Sequence, residues 1–580
     1  NDIWVGRDVE IDPEAKIKGP IIIGNFARIK KGAEVSEYSV IGDNCVIEEN
    51  ASVKKSIIFH NTVIGRKCEL RGAIVGKRCV LGEGVSIYEE AVVADDCTIG
   101  SGAVIQSGIR VWPDKSIEQW TRLSADLIWG ETEKKYLFTH DGISGTFNVK
   151  ITPEFASKLG SAIGAFLGKQ GKVVLSRDMT KAAALINYAL AAGLLSMGVD
   201  VYDIGIESVP LAKYCTKFFN ADMGVYIQVT HLTGLQNIAI QFFNRNGFQI
   251  SLAEEKKIEN IFFRGDYPRK DVFETGELIY PSHQIGSYIA NARTYVNTEA
   301  IASCSWKIIV DCLNGTTSYI LPSLLESMNI ETTVLRGQVK ETLSENDLMA
   351  GTIKSIYNVV NMSKMNREIG LIMGPHGTNM TIVDETGEVL SADDVTAILI
   401  KYYLDYKTAE SICIPVNTSN AIANLISERG AQVKWITTKL RTPDDSIDLF
   451  YDSATRYPYL EQKTDPMIVF LRVLEYLSLE KKELCEVKQK LPKIHLASTT
   501  IQCTPEEKAS IMAMLSSEIQ NRDIDLIDGV KISNKNSWIL LMPDHSQPLI
   551  HVFAEGESPT ERDRLIRNYA EKIKNFRNRI

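Results

Sequence analysis

No stretch of this chain approaches the roughly 18 consecutive apolar residues that a membrane-spanning helix needs, and no charged-then-apolar leader opens it. The ten cysteines include no C-x-x-C pair, so neither a zinc ribbon nor a thioredoxin-like motif is indicated and reduced, scattered thiols are expected. A basic surplus is missing as well: 64 Lys and Arg stand against 73 Asp and Glu, a formal net charge of -9. Nucleic-acid binders draw most of their affinity from clustered cations, so that class is excluded. The basic run from Lys572 to Arg579 reads as the solvated face of a last helix. What remains is a cytoplasmic protein with neither a membrane nor a nucleic-acid partner. Its 44% hydrophobic and 24% charged residues are those of an ordinary globular chain. Its 580 residues allow about four domains of roughly 150 residues each. The chain opens at Asn1 without Met and enters a repeat within five residues, which suggests a further segment upstream.

The repeat has a period of six. Apolar residues recur at Val5, Ile11, Ile17, Ile23, Ile29, Val35, Ile41, Ile47, Val53 and Phe59, then after a shorter step at Ile64 and Leu70, and after another from Val75 through Ile105 to Val111. Four positions after many of them sit small residues: Ala15, Ala27, Ala33, Cys45, Ala51, Cys68, Cys79, Ala91, Cys97 and Ala103. Three such steps close a triangular coil with the apolar residue on the axis and the small one at the corner, which predicts about six coils. The pattern resembles the left-handed parallel β-helix of hexapeptide-repeat proteins and covers residues 1–112. Some of those proteins are acyltransferases that use a catalytic His, but this segment has only His60 and no excursion loop, so His60 reads as a turn residue. The opening "NDIWVGRDVEIDPEAKIKGPIIIGNFARI" resembles the coil that follows the catalytic domain of mannose-1-phosphate guanylyltransferases. The Gly-rich, Arg-containing nucleotide loop of such a catalytic domain is not in these residues. Residues 113–137 place Ile117, Trp120, Leu123 and Leu127 at helical spacing, which predicts a linker or capping helix.

From residue 138 apolar strands alternate with helices, the texture of α/β domains. Thr152 and Pro153 open a helix as N-cap and first position. "KVVLSRD" is a buried strand, and "AALINYALAAGLLSMG" a helix stopped by Gly198. The run Phe138 to Gly145, the segment 173–205 and Val383-Asp384-Glu385-Thr386-Gly387 fall in an order that resembles the α-D-phosphohexomutases, the phosphomannomutase and phosphoglucomutase family, over residues 138–580. The resemblance implies four domains around one cleft, divided at 138–285, 286–393, 394–490 and 491–580, with one loop from each. It also implies a phosphoserine, a Mg²⁺ held by three aspartates, and an Arg/Ser/Thr grip on the substrate phosphate. The fold expected is mixed: a left-handed parallel β-helix followed by a four-domain α/β phosphohexomutase-like module.

The loops depart from that family one by one. Thr230 stands where the nucleophilic serine belongs, followed by His231; the β-branch of Thr230 crowds attack and fixes its rotamer. In the metal loop the family's D-G-D-x-D-R becomes Gly374-Pro375-His376-Gly377-Thr378-Asn379, so Gly374, His376 and Thr378 replace three carboxylates. Mg²⁺ takes hard oxygen ligands. One charged group that stabilises such a transition state is worth roughly 10³ to 10⁵ in rate, or about 4 to 7 kcal/mol. The sugar loop falls near Asp452 and Arg456, where only a shortened acid matches. In the phosphate loop Asp544 and Ser546 appear without either arginine, and Asp544 adds a negative charge where an anion should sit. Ser144 replaces a further Arg. Pro153, Arg177, Asp178, Asp311, Gly315, Asp384 and Gly387 match the family's scaffold.

The reading is a regulatory and assembly portion of a mannose-1-phosphate guanylyltransferase-like, sugar-nucleotide pyrophosphorylase protein, with a catalytically inactive mutase module that either binds a sugar phosphate, nucleotide or partner or serves as a spacer that builds an oligomer. The chain is expected to form a homo-oligomer and to need no cofactor; Mg²⁺ is expected only for an upstream nucleotidyltransferase domain. The alternative is an active or repurposed phosphohexomutase that uses Thr230.

Overall fold

The computed structural model describes all residues except 1, 118, 128–136, 140–141, 169, 233–234, 266, 341–344, 439–448, 451–453, 504, 518–523, 526, 535–536, 545–548 and 578–580. The chain divides into two compact units: Asn1–Leu137 with Ile501–Ile511 and Pro543–Ile550, and Phe138–Thr500 with Met512–Met542 and His551–Ile580.

In the first unit, strands of two or three residues stack into three seven-stranded sheets of parallel neighbours. Each strand pairs with the equivalent strand one coil on, as in Ile23 with Ile41, Ile41 with Ile58 and Ile58 with Val75. The axis is filled by the six-step residues, with Val35, Ile47, Val53, Leu70, Val75 and Ile87 fully buried. The corners hold the small ones, and the corner thiols donate to a carbonyl of the next coil: Cys45 Sγ to Phe59 O at 3.0 Å and Cys68 Sγ to Gly82 O at 2.9 Å. Burial pushes the Cys45 thiol up to about 11 and the Cys68 thiol to about 12, so both stay protonated and inert. His60 Nδ1 accepts the Asp43 N–H at 3.1 Å, a bond between turns.

Three expectations change. The axis residue of the fourth coil is Ile58, 1% exposed, while Phe59 is 41% exposed. The short step therefore lies between Val53 and Ile58. An isoleucine stacks between Ile41 and Val75, whereas a phenyl ring overfills a slot only one strand spacing deep. The coil does not end at residue 112: strands Ser116–Ile117 and Arg122–Leu123 pair with Thr98–Ile99 and Val104–Ile105. Where a helix or linker was expected, Ile117 and Leu123 continue the six-residue step and cover Ile99 and Ile105. The strands thus make seven coils rather than six.

The second unit begins with a six-stranded sheet in the order Ile143–Thr146, Leu235–Asn244, Met223–Leu232, Lys172–Arg177, Asp200–Ile206, Leu278–Ile279. Its three central parallel strands run as apolar segments because helices cover them. Helix Pro153–Leu167 starts at Thr152, whose hydroxyl accepts the Phe155 N–H, and packs against Lys181–Leu195. That packing brings backbone to backbone. A Cβ on Gly160 would lie 2.3 Å from Leu190 O, and one on Gly193 2.2 Å from Ser157 O. A four-stranded sheet follows, ordered Glu331–Leu335, Lys307–Asp311, Ile369–Met373, Met380–Val383, with the last pair an antiparallel hairpin. The third sheet orders Gln432–Ile436, Ser411–Pro415, Thr455–Arg456. Further on, an antiparallel run pairs Ile524 with Ile532 and Ser533 with Trp538. Among the described residues no helix is long and apolar enough to cross a membrane.

A polar cleft at the strand ends

In the second unit the carboxyl ends of the parallel strands of the first two sheets meet. Open α/β sheets bind ligands outside such strand ends. After strand Asp200–Ile206 comes Glu207, and Ser208 caps the helix Val209–Phe218 by accepting the Leu211 N–H. After strand Lys172–Arg177 comes Asp178, 1% exposed, whose carboxylate accepts the Thr180 N–H at 2.8 Å, the Thr180 hydroxyl at 2.6 Å and the Val229 N–H at 2.7 Å. Val229 immediately precedes Thr230, so Asp178 sets the height of that strand end. From the second sheet come Gly315, Thr316 and Thr317, and the turn Gly374–Asn379.

The turn reaches across to the first sheet. Val209 N–H donates to His376 O at 2.9 Å, and the Tyr226 hydroxyl lies 3.3 Å from His376 Nδ1. Tyr226 OH also donates to Glu207 O at 3.0 Å. Thr316 N–H donates to Pro375 O at 2.8 Å, an approach that requires Gly315: a Cβ there would lie 2.2 Å from the Pro375 backbone. Removal from water holds the His376 imidazole below its ordinary value and so neutral, with Asp178 opposing. The same burial holds the Tyr226 phenol well above its ordinary value. Glu207, 5% exposed, is pushed up to about 7 by burial, against the Gln284 amide that donates to its Oε1 at 3.4 Å.

Five buried side-chain oxygens here have no hydrogen-bond partner among the described residues: Glu207 Oε2, Gln228 Oε1, Thr230 Oγ1, Gln284 Oε1 and Thr317 Oγ1. They come from strand ends and helix starts of the first two sheets, with Glu207 and Gln284 in direct contact, and buried oxygens without donors are uncommon. Each can accept a hydroxyl hydrogen, and none carries a fixed positive charge.

The residues singled out from the sequence fall in different places. Thr230 lies inside a continuous antiparallel ladder, paired with Asn237, and the ladder runs on through His231–Gln236 to Leu232–Leu235. The structural turn expected at this position is thus the end of a hairpin. Gly374, His376 and Thr378 occupy the expected turn between two strands. That donor set does not fit Mg²⁺: it contains no carboxylate, and His376 is engaged by Tyr226 and Val209. Among the described residues no group of three His, Cys, Asp or Glu is placed to hold a metal. Arg456, expected in a sugar loop, is 1% exposed with its guanidinium over the Tyr403 ring at 4.8 Å, so it serves the core of its own domain. Asp544 belongs to the first unit, where its carbonyl accepts from Lys508 Nζ at 2.6 Å. Asp452 and Ser546 lie outside the described residues, as do His140 and Asp141. Sequence reasoning missed Glu207, Gln228, Gln284 and Thr317. The local sign for Glu207 was an acid between a buried strand and a Ser-capped helix beginning Val-Pro.

The architecture defines a left-handed β-helix joined to a phosphohexomutase-like α/β module. Residues 135–269 match the family model for phosphoglucomutase/phosphomannomutase, alpha/beta/alpha domain I, and residues 1–105 match that of the EIF2B subunit epsilon LbH domain. The chain is 25% identical over 462 residues to a phosphoglucosamine/phosphogalactosamine mutase of Sulfurisphaera tokodaii, covering 75% of this chain and 98% of that protein. It is 26% identical over 442 residues to a phosphoglucomutase/phosphomannomutase of Thermococcus kodakarensis, covering 73% and 95%. Its fold matches a phosphoglucomutase/phosphomannomutase family protein from Burkholderia thailandensis with a TM-score of 0.60 at 16% identity, over 76% of this chain and 98% of that one. A phosphomannomutase-like structure from Thermus thermophilus gives 0.57 at 17% identity over 74% and 98%. These likenesses support a role in sugar metabolism.

Proposed function

We propose that this chain is the regulatory and assembly portion of a mannose-1-phosphate guanylyltransferase-like protein of nucleotide-sugar metabolism, and that its mutase-like cleft binds the hydroxyl-rich part of a sugar phosphate or nucleotide without turning it over. The observation that carries this is the turn Gly374–Asn379, which stands at the strand ends with no carboxylate and with its imidazole engaged. Phosphoryl transfer is mostly positioning and charge neutralisation, so a cleft without a metal platform loses the larger part of the rate. Five oxygens awaiting hydroxyl donors suit a polyol better than a phosphoryl group. The test is a coupled assay of glucose 1-phosphate and mannose 1-phosphate isomerisation with excess Mg²⁺, paired with calorimetric titration of the same sugars. Binding without turnover is expected, and turnover at a rate typical of mutases overturns the proposal.

A second reading, an active phosphohexomutase using Thr230, is favoured by the names of the relatives, which are mutases. It predicts phosphate on Thr230, visible as a mass increment on the intact chain.

A further inference from the structure

The three outer faces of the coil differ. Outward residues on the face that starts at Ile3–Val5 are, in register, Trp4, Ile22, Val40, Ile57, Ile74 and Val92, followed by Arg110. The second face presents Glu10, Arg28, Val46, Val63, Val80, Thr98 and Ser116, and the third Lys16, Glu34, Ser52, Glu69, Ser86, Val104 and Arg122. Only the first has six apolar rows in succession without a charge. Four of the six are open to solvent, with Trp4 73% and Ile22 51% exposed and Ile57 and Ile74 also exposed, while Val40 and Val92 are half-buried. Exposed aromatics stand in the turns at its edges, Phe26, Phe59 and Trp112 on one side and Tyr38 on the other. Among the described residues, apart from Ile3, Val5 and Ile11 in the first coil, Trp120 is the one large exposed apolar residue of the coil away from this face and its edges.

We infer that this face is where a second copy of the chain docks, in antiparallel register about a two-fold axis between Val40 and Ile57. Self-pairing follows from the order of sizes along the ladder. Reversing one copy sets Trp4 against Val92, Ile22 against Ile74 and Val40 against Ile57, so the bulkiest row meets one of the smallest and the middle rows match. A two-fold interface demands that relation, because residue i must meet j while j meets i. The six rows, ~4.8 Å apart, extend about 25 Å. With the edge aromatics, two such faces bury on the order of 1,000 Å² or more, the size that a specific interface needs and beyond a usual exposed apolar patch on a monomer. With no charge across the six rows, nothing in the face selects an acidic or basic partner.

This gives the assembly part of the proposed function a location, while the cleft is tested separately by turnover, so the two can fail independently. The experiment is sedimentation of the full chain over a range of concentrations. The parent and a Ser86→Glu control on the third face are expected at twice the 64.6 kDa chain mass, and Ile57→Glu/Ile74→Glu as a monomer with unchanged circular dichroism. Register is read by oxidative cross-linking. Ile22 and Ile74 are three rows apart within a chain but meet across the axis, so Ile22→Cys/Ile74→Cys is expected to give a covalent dimer and Ile22→Cys alone none. A parent that stays monomeric overturns the inference, as does a dimer that survives the double glutamate, a dimer broken by Ser86→Glu, or an Ile22→Cys dimer as abundant as that of the double variant.

Discussion

Replacing Glu207 by glutamine should stabilise the module, and only at higher pH. The carboxyl group is buried, its Oε1 takes one long bond from Gln284 Nε2, and its Oε2 and Gln284 Oε1 are two acceptors without donors. Burial disfavours the charged carboxylate and moves the group from 4.5 to about 7, against the Gln284 bond, which favours the charge. The folded state therefore holds a proton that the unfolded chain releases between those values. Stability conferred by the protonated form is complete below pH ~4.5 and is lost as pH rises through about 7. At ~1.4 kcal/mol per unit, the ionised form costs roughly 3 kcal/mol by about pH 8. Glutamine is the neutral isostere of the protonated acid and keeps an oxygen for the Gln284 amide. Thermal melts of the variant and the parent should coincide near pH 5 and diverge above pH 7, the variant melting higher. The reasoning is refuted if the offset is the same at every pH, or if the variant is the weaker protein near pH 8.

Other outcomes follow from buried groups. Arg472 and Glu461 form an ion pair at 2.6 Å in which both are almost wholly buried, so Arg472→Met should cost about 3–5 kcal/mol and lower the first denaturant transition. Ile58→Ala should cost about 2–5 kcal/mol in the coil while Phe59→Ala costs far less, a comparison that checks the placement of the short step by thermal melting. Gly193→Ala sets a Cβ 2.2 Å from Ser157 O and should destabilise the first α/β domain despite alanine's better helix propensity. A thiol reagent should leave Cys45 and Cys68 unmodified in the folded chain near pH 8 and label both once it is unfolded, as their raised values require.

The coil was legible because its period is local: each axis residue is followed six positions on by another. Where it was misread, two apolar candidates competed for one slot. In Ile57-Ile58-Phe59 the slot depth chose Ile58, and at 117–123 a six-step and a helical pattern shared Ile117 and Leu123. The turn Gly374–Asn379 was legible for the same reason, being a short link between adjacent strands. The rest of the cleft was not. Glu207, Gln284 and Thr317 come from separate elements, and nothing in sequence spacing signals that the first two share a hydrogen bond. Arg456 was misplaced because the ring of Tyr403, more than fifty residues earlier, decides where its guanidinium lies.

The acids of the module divide by what occupies their oxygens. Asp178 is filled by Thr180 and Val229, Asp384 by Thr386 N–H and hydroxyl and by Glu388 N–H, and Asp311 by Arg336, Ser355 and Leu313 N–H. Each fixes a turn at a strand end, Asp178 and Asp311 through both carboxylate oxygens and Asp384 through Oδ1. Glu207 is the acid of the cleft with an open oxygen, and burial keeps it protonated up to about pH 7. His376 is held neutral at the same junction, so below about pH 7 the junction of the two sheets carries hydroxyl, amide, imidazole and carboxylic acid groups. The proposed preference of the cleft for a ligand's hydroxyls over its phosphate rests on that lack of charge.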